Sequence, residues 1–244
     1  MQTTTVYSLT LIGTGFVIGL MHALEADHLA AISTIVGERK RWWSSSLVGG
    51  LWGVGHTTSL LLAGVLVLVF KLPISARVES ALEFCVGLML VGLGVNALRK
   101  LARGGTLHLH QHEHGGHKHI HPHVHDQAEV AAHSSHDESH HGFKIGTKPV
   151  WIGMLHGLAG SAALLMVGIL TTIQSPTLGL TYIAVFGIGS IAGMMLMSSL
   201  LSLPFHLTAQ RFTRLNGWVR VLAGVFSVSV GLMMLWEKGR ELLA

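Results

Sequence analysis

The sequence predicts an all-α integral membrane protein with six transmembrane helices, arranged as two inverted three-helix repeats. Three observations predict this fold class: composition, long uncharged segments and an internal repeat. Half of the 244 residues are hydrophobic, only 11% are charged, and the mean hydropathy is +0.54. A soluble domain carries about 25% charged residues. The surface of this chain is therefore expected to face lipid.

Six segments are long enough to cross the hydrocarbon core as helices, which takes about 20 apolar residues each. They cover 13–35, 47–70, 80–99, 149–171, 178–202 and 217–236. The N-terminus "MQTTTVYSLT" lacks the basic region of a cleavable signal peptide, so the first segment is expected to be a retained helix.

The basic residues predict the orientation, because cytoplasmic loops of membrane proteins carry an excess of Lys and Arg. Loops one, three and five hold 12 of them, and the other side holds four. Both termini are therefore expected outside a plasma or inner membrane, with loop three in the cytoplasm. Since the basic residues flank apolar segments and form no stripe, nucleic acid is not an expected partner.

An internal repeat relates the two halves of the chain. "GLMHALEA" at 19–26 aligns with "GMLHGLAG" at 153–160, and "WGVGH" at 52–56 aligns with "FGIGS" at 186–190, both at an offset of 134. The third segments align at an offset of 137. Because each half holds three spans, the second half would enter the membrane from the opposite side, an architecture typical of transporters. The predicted units are repeats at 1–100 and 149–244, joined by a loop at 101–148.

The joining loop holds 13 of the 18 histidines. It cannot bury a core and is expected to be disordered, and dense histidine tracts bind divalent transition-metal ions through many weak sites. Such a loop can buffer metal that has entered, sense excess metal or supply an exporter. The candidate loop ligands are His108, His110, His112, His114, His117, His119, His121, His123 and His125.

The first span contains a polar motif, "HALEADH" at 22–28. On a regular helix of about 100° per residue, His22, Glu25 and His28 share one face within about 120°. If the helix is broken there, Asp27 can join them. A charged side chain at the bilayer centre costs about 2.5–3.5 kcal/mol, so these groups need a cation, a partner or water. Imidazole with carboxylate suits nickel, cobalt, zinc or non-haem iron.

Three further histidines lie in predicted spans or at their ends. His56, in "GVGHTTS", and His156, the repeat equivalent of His22, are candidate metal ligands. His206 lies at a span end and is expected to bond a neighbouring carbonyl. The lone cysteine, Cys85, is expected to be a small buried hydrophobe.

Two other function classes compete with transport. A membrane-embedded metalloenzyme lacks support because H-E-x-x-H is absent, although haem ligation by His22 and His156 would fit that class. A non-transporting scaffold that stores metal through 107–142 would not need the intramembrane histidines. Because the H-E-x-x-H motif is absent, we do not expect an enzyme.

The spacing His22-x4-Asp27-His28 inside an early membrane helix resembles the motif of the nickel/cobalt transporter family (NiCoT). Six spans, a histidine-rich middle loop and "LHGLAGSAAL" opening the second half are most similar to its UreH-type branch, with NicO-type exporters related. The resemblance implies uptake of Ni²⁺ or Co²⁺ as substrate, with His22, Asp27 and His28 essential for recognition. Better-known members have eight spans and an acidic "FDTATE"-like run in the second half, where this chain has "HGLAGSAA".

The resemblance also implies a cytoplasmic metallochaperone of the urease-accessory kind as partner. An exporter of Ni²⁺, Co²⁺ or Zn²⁺ is the alternative within the same fold. No permanent cofactor is expected, and no G-x4-G-K-[ST] phosphate-binding pattern occurs in the chain. Energy would therefore come from a gradient, the membrane potential or a separate partner.

Overall fold

The computed structural model describes residues 2–37, 42–72, 75–103, 108–114, 117–123, 147–159, 175–211 and 213–243. Seven helices and two strands lie in these ranges. The helices are α1 (Gln2–His22), α2 (Ala26–Val36), α3 (Trp42–Leu68), α4 (Ala76–Ala102), α5 (Lys148–Ala159), α6 (Pro176–Arg211) and α7 (Thr213–Leu243).

Four of these helices, α3, α4, α6 and α7, are long and apolar enough to cross a membrane. A fifth span exists if α1 and α2 are counted together, since they form one apolar pair bent by 53°. The predicted first span, 13–35, is therefore two helices and not one. The predicted fourth span, 149–171, begins as α5, and its part beyond Ala159 lies outside the described residues. The predicted helical membrane architecture is confirmed at this level.

The histidine-rich segment contains two strands, where we expected no fold and an all-α chain. Strand β1 (His108–His114) pairs antiparallel with β2 (His117–His123), and the register sets a histidine opposite a histidine at four positions. The sequence explains the pairing: histidine recurs at every second residue, the period of a strand. Two glycines separate the halves, a composition typical of a hairpin turn. His125 lies outside the described residues.

Close contacts at glycines show the directions in which neighbouring helices run relative to one another. Helix α1 packs parallel to α6, where a Cβ on Gly19 would collide with the carbonyl of Phe186. Helix α5 packs parallel to α3, where a Cβ on Gly153 would collide with the carbonyl of Trp52. Helices α3 and α6 run antiparallel, as do α4 and α7. Small residues allow this approach, which is how membrane helices gain packing contacts.

The buried core lies where α2, α3, α4 and α6 meet, and it includes Ile32, Trp52, Leu90 and Met194. Cys85 lies outside it: its side chain is exposed on α4, so the expectation of a buried cysteine is wrong. The physical reason is that an apolar run in a membrane helix covers both the packed face and the lipid-facing one, so hydropathy does not separate them.

Candidate metal centre

The predicted polar motif is the point at which the first apolar segment breaks. Helix α1 ends at His22 and α2 begins at Ala26, with Glu25 extended between them at φ −63° and ψ 147°. The backbone of the break stays hydrogen-bonded: Leu24 N–H donates to Met21 O at 2.9 Å, and Glu25 N–H to His22 O at 3.1 Å. Such bonds allow a helix to break inside a membrane, where unpaired backbone groups are costly.

The break allows Asp27 to reach two histidines at once. Its Oδ1 lies 3.0 Å from His28 Nδ1 and accepts the His28 backbone N–H at 2.8 Å. Its Oδ2 lies 2.9 Å from Nε2 of His156, which α5 carries in from the other half of the chain. The position also favours a negative charge, because Asp27 lies in the first turn of α2, where the helix dipole is positive.

Glu25 makes a similar contact with His22. Its Oε1 lies 2.7 Å from His22 Nδ1, and the Glu25 side chain is 32% exposed, compared with 15% for Asp27. The two carboxylates of the motif thus contact three imidazoles. The broken-helix alternative is the one observed, since Asp27 joins the cluster.

Four imidazoles converge at the break: His28, His56 and His156 are fully buried, and His22 is 3% exposed. His28 is central, with ring centroids 4.4 Å from His22, 4.3 Å from His156 and 5.4 Å from His56. The ligand atoms fall into two groups, and within each group they all lie within 4.8 Å of one another. The groups are His22–His28–His56 and Asp27–His28–His156. The tertiary structure therefore unites all six predicted intramembrane candidates, with Glu25 at the edge.

The hydrogen bonds to the carboxylates use one ring nitrogen each of His22, His28 and His156 and leave the other nitrogen available. A carboxylate only accepts, so the ring nitrogens facing Asp27 and Glu25 carry the protons. The opposite nitrogens, Nε2 of His22 and His28 and Nδ1 of His156, are buried without a hydrogen-bond partner among the described residues, as are both nitrogens of His56. Carboxylate-bonded histidines with a free second nitrogen are the usual arrangement of metal-ligating imidazoles.

Two aromatic residues enclose the cluster, and neither was expected there from the sequence. Trp52 stacks on His28 with centroids 5.7 Å apart and planes 9° apart, and Phe186 lies 5.5 Å from the His22 ring. Two signals in the sequence could have found them. Trp52 precedes His56 by one helical turn, and residues 52 and 186 are equivalent in the repeat. These apolar walls exclude water and strengthen electrostatic interactions inside the cluster.

His206 lies apart from this cluster. Its Nδ1 donates to the Ser202 carbonyl at 2.8 Å within α6, which confirms the expected local bond.

Comparisons with known proteins match the chain to a urease accessory protein and to proteins described as nickel or nickel/cobalt transport systems. It is 34% identical to the urease accessory protein UreH of Bacillus sp. strain TB-90 over 239 residues, covering 93% of this chain and 96% of that protein. It is 28% identical to a high-affinity nickel transport protein of Cupriavidus necator over 106 residues, 36% of this chain and 30% of that protein. It is 26% identical to a candidate nickel/cobalt efflux system of Methanocaldococcus jannaschii over 183 residues, 72% of this chain and 68% of that protein.

No family model matches the chain, and no solved structure matches it. The UreH match spans nearly the whole length of both proteins, and it agrees with the motif resemblance. The chain is a helical multi-pass membrane protein that belongs to the nickel/cobalt transporter family, in its UreH-type branch.

Proposed function

We propose that this protein carries a divalent transition-metal ion, Ni²⁺ or alternatively Co²⁺, across the cell membrane into the cytoplasm. The observation that carries the proposal is the buried cluster of four imidazoles and Asp27 at a break in a membrane helix, where several ring nitrogens have no hydrogen-bond partner among the described residues. Burying an anionic carboxylate among apolar helices is costly unless a cation offsets it. An imidazole–carboxylate ligand set without thiolate suits Ni²⁺ and Co²⁺.

The depth of the cluster supports a transport site. His56 lies near the middle of the span Trp43–Leu68, and the break lies between the two arms of the pair Thr10–His22 and Ala26–Val36. Transporters bind substrate near the midplane, often at broken helices. His22, Asp27, His28, His56 and His156 are the proposed ligands, with Glu25 orienting His22.

We also propose that the chain forms six spans as two inverted repeats. Contacts between the halves support this symmetry because they occur in equivalent pairs. Gly19 faces Phe186 O and Gly153 faces Trp52 O, which are the same contact displaced by 134 residues in each partner. Gly55 on Val150 O and Gly189 on Phe16 O repeat the relationship. The helix directions agree, since α1 runs parallel to α6, α6 antiparallel to α3, and α3 parallel to α5.

The histidine-rich loop is proposed to lie in the cytoplasm, with both termini outside, and to buffer ions that have crossed. The β1–β2 register supports metal binding by this loop, because cross-strand histidine pairs bring two ligand residues together at each of four levels. A metallochaperone that takes ions from the loop is the proposed cytoplasmic partner, by analogy with the relative named as a urease accessory protein.

The test is metal flux into proteoliposomes that contain a chelating fluorophore, comparing Ni²⁺, Co²⁺, Zn²⁺ and Mn²⁺. Wild type is compared with His22→Ala, Asp27→Asn, a deletion of 107–142 and the control His206→Ala. We expect saturable Ni²⁺ flux that survives the deletion and the control but is lost in both point variants. Absence of flux for every ion in well-folded wild type would contradict transport, and a Soret band in that protein would then indicate haem.

Direction is measured separately, because the relative from Methanocaldococcus jannaschii is described as an efflux system. Cells expressing wild type or His22→Ala are exposed to radioactive Ni²⁺. Higher accumulation with wild type supports import, and lower accumulation supports an exporter of the same fold. The relatives are described as transport or accessory proteins, so we assign no catalytic residue.

A further inference from the structure

The ligand atoms of the metal centre form two groups that share one residue. The first consists of His22, His28 and His56, all from the first half of the chain. The second consists of Asp27, His28 and His156, and it takes one ligand from the second half. We propose that these groups are two alternative subsites, and that a single metal ion passes between them by exchanging ligands around His28. This inference rests on the proposed transport function and adds the order of binding.

The two nitrogens of His28 face different subsites. Nδ1 lies 3.0 Å from Asp27 Oδ1, on the side of Asp27 and His156. Nε2 has no partner among the described residues, and we assign it to the subsite of His22 and His56 because Nδ1 is engaged by Asp27. Because these nitrogens present their lone pairs in diverging directions in the ring plane, one ring can serve either subsite without changing position.

Only one subsite can hold an ion at a time. A neutral imidazole has one protonated nitrogen and one with a lone pair. With the ion on Nε2, the Nδ1–H of His28 donates to Asp27, as in the structure. With the ion on Nδ1, the proton is on Nε2. The Nε2 of His156, which faces Asp27, likewise moves its proton to Nδ1 when it binds the ion. Transfer therefore requires His28 and His156 to exchange tautomers, with no net gain or loss of protons.

The distances favour transfer through His28 and not directly between the outer histidines. The ring centroid of His28 is 4.4 Å from that of His22 and 4.3 Å from that of His156, whereas the centroids of His56 and His156 are 6.2 Å apart.

The subsites also differ in charge: the first contains neutral imidazoles alone, and the second adds the Asp27 carboxylate. An ion transferred to the second subsite thus gains an anionic ligand and a ligand from the other half. This would link its movement to a change in how the halves pack.

The experiment uses Co²⁺, whose visible absorption depends on the identity and number of its ligands, with full-length protein in lipid nanodiscs. Every histidine of 108–141 is replaced by glutamine so that only the intramembrane centre binds. His56→Ala removes a ligand of the first subsite, His156→Ala a ligand of the second, and His28→Ala a ligand of both. His206→Ala is the matched control. Equilibrium dialysis gives the stoichiometry, and flux is measured in the same proteins.

We expect one Co²⁺ per chain in the background that lacks the loop histidines but keeps every intramembrane one. His56→Ala and His156→Ala should each keep one ion but show different spectra, and a weighted sum of these spectra should reproduce that of the background. Flux should fall at least tenfold in both variants. His28→Ala should lose at least a hundredfold in affinity, and His206→Ala should change neither binding nor flux.

Two bound ions, or the same spectrum in both single-site variants, would overturn the two-subsite proposal. So would the loss of binding in either one. If one of these contradicting results is found while the background still shows flux, the two-subsite proposal fails and the transport proposal does not. If His56→Ala and His156→Ala show distinct spectra but the background shows no flux for any ion, the two subsites are supported and the transport proposal fails.

Discussion

At the scale of single residues, the candidate centre combines carboxylates with the imidazoles that they contact. Asp27 contacts His28 and His156 simultaneously, whereas Glu25 contacts His22 and is more exposed. Removing such an orienting partner in metal sites typically lowers affinity about 10–100-fold. The loss should be larger for Asp27 than for Glu25, because two rings lose a hydrogen-bond partner together and the ion also loses a proposed anionic ligand.

We expect Asp27→Asn to weaken Ni²⁺ binding by about 100-fold and Glu25→Gln by about 10-fold or less. The measurement is competition of the purified chain, with its loop histidines replaced, against a chelator of known affinity. Glu237→Gln, an exposed carboxylate on α7, is the matched control and should leave affinity unchanged. Equal losses for Asp27→Asn and Glu25→Gln would contradict the assigned roles.

Trp52 provides a second residue-scale prediction. Its indole stacks on His28 and is 1% exposed, so it holds the shared ring in place and keeps water out. Trp52→Leu should lower the unfolding temperature and reduce Ni²⁺ affinity, because a cavity of several methylene groups remains and typically costs about 3 kcal/mol. Trp218→Leu, at a 67% exposed position, should change neither. An unchanged affinity in folded Trp52→Leu would show that the stacking does not position His28.

At the scale of helices, close approach through glycine brings the halves together. Gly19 and Gly153 lie against carbonyl groups of the neighbouring helix, one turn before His22 and His156 respectively. Packing at these glycines therefore determines where both histidines lie. The same arrangement joins α4 to α7, where Gly94 faces the carbonyl of Gly224.

Gly153→Ala should destabilise the fold by about 1–3 kcal/mol, since the added methyl group would collide with the Trp52 carbonyl and push α5 away from α3. Thermal unfolding in detergent measures the change, and Ni²⁺ affinity should fall with it because His156 moves. Gly92→Ala is the control, because a Cβ there meets nothing within 4 Å. Equal unfolding temperatures for the two variants would contradict the contact.

A buried ion pair joins α4 to α7 away from the metal centre. Lys238 Nζ lies 2.8 Å from Glu83 Oε2, with side chains 19% and 8% exposed. Lys238→Met should cost about 3 kcal/mol of stability, because it leaves Glu83 charged and buried without this partner. Adding Glu83→Gln should recover part of the loss, while Arg240→Met, at an exposed position, should cost little. Absence of recovery in the double variant would show that Lys238 acts through other contacts.

At the scale of the whole molecule, the charge distribution predicts which side each loop occupies. In a Cys85→Ala background, a cysteine introduced by Gln2→Cys should react with a membrane-impermeant maleimide in intact cells. His119→Cys should react only after permeabilisation, because the histidine-rich loop is proposed to be cytoplasmic. The opposite pattern would reverse the orientation and favour a loop that collects ions outside.

The sequence by itself determined that this protein has a lipid environment, that its apolar spans are helical and which residue types form the candidate metal centre. Scarce charge requires lipid-facing helices, and the motif, His56 and His156 stand out because polar groups are costly in such segments. Tertiary structure alone decided that the first segment breaks at Glu25, that Asp27 reaches His156 and that His28 occupies the centre. Asp27 and His156 are 129 positions apart, so no local pattern contains their contact. Tertiary structure also decided that Cys85 is exposed, because lipid and protein core are equally apolar and hydropathy cannot distinguish them.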